Sequence, residues 1–192
     1  MSEKDPRVMT DRRRSLEEEF FAKQNAKLKE QLREKLDRER GRAELQAAYP
    51  QVAPAMIEHL IDHGFDAEAA AALWLVPLVL VAWADGSLAD AEREAILRAA
   101  AEHGIPKGSK GYDRLAEWIV SDPSDHLEEL WLGFVRAACA GLSANEVEQM
   151  RDGVLRLASE VAGAAGGFLG LGTKISQSEQ AVLDRVAAAF SR

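Results

Sequence analysis

Apolar residues recur at three- and four-residue intervals along most of this chain, and no segment sustains the alternation of a strand. Met56, Ile57, Leu60 and Ile61 mark one helix, with Gly64 as its stop signal. Asp66 is placed to cap the next, which runs through Ala69 to Ala84, 16 residues without a charge. Hydrophobicity on all sides predicts a central helix wrapped by others, kinked where Pro77 removes an internal hydrogen bond. A third helix, from about Asp90 to His103, turns Ile96, Leu97, Ala100 and Ala101 inward and ends at Gly104 and Pro106. A shorter one holds Leu115, Trp118, Ile119 and Val120. Ser124 opens another, which sets Leu127, Trp131, Phe134, Ala138 and Leu142 on a core face. Ser143 with Glu146, and Ser176 with Glu179, have the spacing of capping boxes and open the last two helices. The pattern predicts an all-α fold: a compact domain of about seven helices, residues 49–192, preceded by a charged helical arm, residues 1–48.

The arm differs from the body in kind. Arg12 to Arg40 contains neither Gly nor Pro and is rich in Glu, Lys, Arg, Gln and Leu, all good helix formers. Its apolar positions, Leu16, Phe20, Phe21, Leu28, Leu32 and Leu36, follow a four-residue step that drifts around the helix and sustains no heptad. Leu16, Phe20, Phe21 and Leu28 form a greasy patch that needs a covering surface, so they are the candidate partner-binding residues.

Charge sharpens the division. Residues 1–44 carry 13 Lys and Arg against 11 Asp and Glu, a net +2, which leaves −10 on the remainder of a 192-residue chain whose total is −8. An acidic body argues against a nucleic-acid surface there, and the acids interleaved in the arm argue for a salt-bridged solvated helix. One cysteine, Cys139, gives no internal bridge and sits among core positions. The start of the chain lacks the apolar core of a secretory signal, and Ala69 to Ala84 is shorter than the roughly 18–20 residues of a bilayer span, so the expected compartment is the cytoplasm.

Candidate chemistry is sparse. Asp85-Gly86-Ser87-Leu88 followed by Asp90, Glu92 and Glu94 concentrates carboxylates that suit a hard cation such as calcium or magnesium. Val81 and Trp83 stand where the earlier ligands of an EF-hand loop would be, so it is not an EF-hand. The alternative reading is a helix junction in which Gly86 takes a left-handed conformation. Gly163 to Lys174 has Walker-like glycine spacing, but Thr173 precedes Lys174 in the wrong order and the segment follows a helix. It reads as a linker with Phe168, Leu169 and Leu171 tucked inward, or as a flap that shows them to a partner or a membrane. His59 and His63 are four apart on one helix, a spacing that can hold zinc, without the Glu of HExxH and with no third ligand in sight.

The run VPLVLVAWADGSLADAEREAIL, residues 76–97, resembles the tellurite-resistance TerB-like family: an apolar helix ending in Ala-Asp-Gly, an aliphatic residue two on, then an acid-rich helix start. The closing GFLGLGTKISQSEQAVLDRVAAAF is similar to that family's last element, with Ile175 and Glu179 standing where Leu88 and Glu92 stand in the first junction. The second junction has Gly172-Thr173-Lys174 in place of Asp-Gly, which breaks a symmetric two-site metal scheme. The resemblance spans about Tyr49 to Phe190. It implies an all-α domain with a repeated helix junction, a link to tellurite and other stress responses, acidic metal-linked surfaces and membrane-associated complexes, and no enzymatic activity. The arm lies outside it. Its DRRRSLEEEFFAKQ is similar to the charged helices of small bacterial ATP-synthase inhibitor proteins, a likeness that charged helices share readily.

Together these readings give a non-catalytic cytoplasmic scaffold or regulator in a stress-response complex, with a protein partner and without a cofactor. The alternative is a calcium or magnesium sensor built on Asp85, Asp90, Glu92 and Glu94. A hydrolase using the same acids is weaker, because no nucleophile, general base or phosphate loop accompanies them.

Overall fold

The computed structural model describes residues 6–123, 125–165 and 175–191, with side chains from residue 19 onward. The linker reading of Gly163 to Lys174 therefore falls mostly outside the described residues. The described chain is helical throughout, without strands: α1 (Pro6–Ala48), α2 (Pro54–Asp62), α3 (Ala67–Ala70), a 3-10 turn (Ala71–Leu75), α4 (Val76–Ala82), α5 (Asp90–Glu102), α6 (Lys110–Trp118), α7 (Asp125–Cys139), α8 (Ala144–Ala165) and α9 (Gln177–Ala189). Counting α3, the 3-10 turn and α4 as one interrupted helix leaves seven helical elements after α1.

The chain forms two compact units, Met1–Gly41 and Arg42–Arg192, so the division falls earlier than the 48/49 boundary expected from composition. The reason is Leu45, fully buried near the end of α1. Gln46 also belongs to the second unit, its amide donating to the carbonyls of Tyr49 and Val52 at 3.3 and 3.0 Å. In the first unit, described side chains pair along the helix, Lys23 with Glu19 at 2.7 Å and Lys35 with Glu39 at 3.9 Å. Such exposed pairs supply about 0.3–0.5 kcal/mol each, so helix propensity carries much of this segment.

In the second unit α4 is the centre, packed by α8, α9, α7 and α5. Every residue from Val76 to Ala82 is buried, as the all-round hydrophobicity requires. The expected single helix is broken rather than kinked. Pro77 has no N–H for the carbonyl of Leu73, which instead accepts from Val76 as the 3-10 turn closes. Pro77 then lies in the first turn of α4, where a missing donor costs nothing. Two other expectations need correction. On α5 the buried apolar residues are Ile96, Ala99 and Ala100, and Ala101 faces solvent. Val120 is 73% exposed, because α6 ends at Trp118 and the chain turns away after the buried Ile119.

Helix starts follow the sequence signals. Asp66 accepts from the Ala69 N–H at 2.8 Å, and Ser143–Glu146 and Ser176–Glu179 both close capping boxes. Arg185 of α9 meets Glu128 of α7 at 2.9 Å, joining two helices across the surface of the core. No single described helix is long and apolar enough to cross a membrane. Pro54–Asp62 and Ala67–Ala82 pass that test only as a pair, and they are bent by 102°.

Candidate functional site

Two features remain after the core is accounted for. The first is the apolar row of α1. Phe20 and Phe21 are 58% and 62% exposed, and their rings meet edge to face at 5.9 Å. Leu28, Leu32 and Leu36 are 55–58% exposed. A four-residue step advances about 400° around a helix, so the row slants by about 40° per step. Such a slanting ridge suits a partner helix crossing at an angle better than a parallel coiled-coil mate. The side chain of Leu16 lies outside the described residues.

The second is the junction between α4 and α5. Gly86 has φ +85°, the left-handed geometry expected of it. Asp85 braces that turn: its Oδ1 accepts from the Ser87 N–H at 2.9 Å and from the Ser87 hydroxyl at 3.0 Å. Leu88 returns to pack on the core. Glu92, at the third position of α5, is 4% exposed and its Oε2 accepts from the Ala89 N–H at 2.8 Å. Ala89 has no side-chain acceptor to offer in return, so this is half a capping box. Burial pushes the Glu92 carboxyl above its ordinary range; the Ala89 N–H opposes this, and the negative charges of Glu179 and Asp85 add to it.

The four acids singled out by spacing do not act as a set. Asp85 stands with Glu92, whereas the Asp90 side chain is fully exposed, 4.0 Å from Arg93, and Glu94 faces solvent. The neighbour that spacing along α5 alone cannot supply is Glu179 of α9, whose carboxylate caps Ser176. Among the described residues, no three His, Cys, Asp or Glu side chains converge as they stand in a way that could hold a metal ion.

Comparison of the chain with family models, curated proteins and solved structures gives no match. The site must therefore be read from its own geometry. A cleft of about 710 Å³ opens between α5 and α8 beside Arg98, Glu102, Arg156 and Glu160. Arg156 is paired with Glu160 at 2.9 Å, and the Ser159 hydroxyl donates to the Leu155 carbonyl of its own helix. A smaller cleft of about 300 Å³ is lined by Trp74, His103, Met150 and Leu157. Neither sets a nucleophile against a base.

The histidine pair gains a neighbour. His59 and His63 rings lie 4.3 Å apart, and His126, from the start of α7, lies 6.4 Å from His63. All three are exposed.

Proposed function

We propose that this chain is a non-catalytic helical scaffold that engages a protein partner through its arm, about Asp11 to Arg40. The observation that supports this is the row of five large apolar side chains on α1, each more than half exposed on an otherwise charged helix. Exposed apolar surface of that kind is costly unless something covers it. The body is read as a TerB-like domain working in a cytoplasmic stress-response complex of the tellurite-resistance kind, on the strength of the Ala84-Asp85-Gly86 junction and its counterpart at Ile175–Glu179. Its net acidity turns nucleic acid away. The test is affinity capture with the full chain and with a Phe20→Ser/Phe21→Ser variant. Burying two phenylalanines contributes about 3 kcal/mol or more, about a hundredfold in affinity, so the variant loses the partner while retaining its helicity. Recovery of the same proteins by both forms refutes the reading.

A further inference from the structure

We propose that the cleft between the 3-10 turn, the end of α5 and α8 binds a small planar aromatic carboxylate. The cleft holds about 300 Å³, the lower end of the range for ligand pockets, which suits a ligand of about one or two fused rings. Its walls are mostly apolar: Leu75, Met150, Val154 and Leu157, with Trp74 among them. Trp74 stands on the 3-10 turn, partly buried, and its ring meets the fully buried Phe134 edge to face at 5.0 Å. The part of the indole left uncovered is a positioned aromatic wall, and a second ring packs on such a wall more favourably than its area alone predicts. Met150 adds a thioether, a good neighbour for an aromatic ring.

Gly153 lies in the middle of the α8 face that lines the cleft. At about 100° per residue, Gln149 and Arg156 lie about 40–60° to one side of it, and Leu157 and Met150 about 40–60° to the other. A glycine inside a helix weakens it relative to alanine. Nothing in the fold asks for one here: its φ is not positive, and a Cβ would meet no packed neighbour within 4 Å. What the missing side chain leaves is the floor of the cleft. A local propensity broken without a packing reason is a mark of a functional site.

Charge selects an anion. Residues 45–192 carry a net −10, yet among the described residues the lining of this cleft holds no carboxylate. Its polar members are Arg156, Gln149 and His103, each able to donate a hydrogen bond. Arg156 gives an N–H to Glu160 at 2.9 Å, and Glu160 lies outside this lining. The rest of the guanidinium fork is available to a carboxylate in the bidentate geometry that arginine favours. The Arg156–Glu160 pair is exposed on both sides, so it holds the guanidinium only weakly against such a ligand.

The probe is 2-naphthoate, titrated into the full chain by calorimetry at about neutral pH, where the carboxylate is ionised. The expected result is saturable one-to-one binding, with the neutral isostere 2-naphthamide weaker by about tenfold or more. Arg156→Gln brings the affinity for 2-naphthoate down to that of the amide and leaves the amide unchanged. Gly153→Leu fills the cleft and abolishes binding, while its melting temperature does not fall below the parent's, since leucine is the better helix former and its Cβ meets open space. Arg156 is 65% exposed, so its variant keeps the fold and carries the test by itself if the leucine is not accommodated. In NMR the indole N–H of Trp74 shifts on binding, whereas that of Trp83, bonded to the Trp118 carbonyl at 3.1 Å and outside the cleft, stays in place. No saturable binding of 2-naphthoate up to about 1 mM, equal affinity for the amide, or binding that survives in a folded Gly153→Leu variant overturns the proposal.

Discussion

Glu92 makes the stability of this domain depend on pH in an unusual direction. Its folded-state carboxyl is raised above the ordinary range, chiefly by burial, with Glu179 and Asp85 adding to it. Below about pH 4.3, the ordinary glutamate value, the residue is protonated in both states and contributes nothing. Above it the unfolded chain releases a proton that the folded chain keeps, so stability falls as pH rises until the folded group also ionises. One group contributes at most about 1.4 kcal/mol per pH unit to that slope. Glu92→Gln removes the charge and keeps an oxygen for the Ala89 N–H. Urea denaturation of parent and variant at about pH 4, 5, 6 and 7 isolates Glu92 and its coupling to Glu179 and Asp85, because titrating groups that do not interact with it cancel in the difference. The variant gains on the parent with rising pH and then levels off; each kcal/mol appears as about 2–4 °C in a melt. A difference that is flat across the range, or that grows in favour of the parent, refutes the account of Glu92.

Gly86→Val destabilises the domain by about 1–2 kcal/mol through its left-handed backbone, more than Asp85→Ala, which removes only exposed turn contacts to Ser87; chemical denaturation ranks the two. Removal of residues 1–41 leaves a chain that still unfolds in one cooperative transition, whereas a cut after Gln46 removes the buried Leu45 and lowers stability by about 2–5 kcal/mol; melts of the two truncations check this.

Periodicity identified the helices because burial in an all-α domain follows the helical repeat, as at Ile57 and Leu60, or Leu127, Leu130 and Phe134. Caps were equally legible, since Asp66, Ser143 and Ser176 act within three residues of themselves. The break at Ala71–Leu75 was not, because a proline reads the same whether it kinks one helix or begins another. The meeting of Glu92 with Glu179 is a tertiary event, hinted at only by the parallel between the two junctions. His126 had no signal at all: it reaches His63 through the packing of α7 on α2, and nothing local to HLIDH announces it.

The placement of α4 has a consequence for synthesis. The residues that cover it most, in α8 and α9, begin at Ala144, about sixty residues after the end of α4 at Ala82. At about 5–20 residues per second, a ribosome needs about 3 to 12 s to add that stretch. For that interval the nascent chain carries its most apolar segment without its final cover. Apolar surface exposed in that way invites aggregation, and a chain cut short before α8 lacks the helices that cover α4 most. The order in which the helices are made thus puts the centre of the domain before its walls.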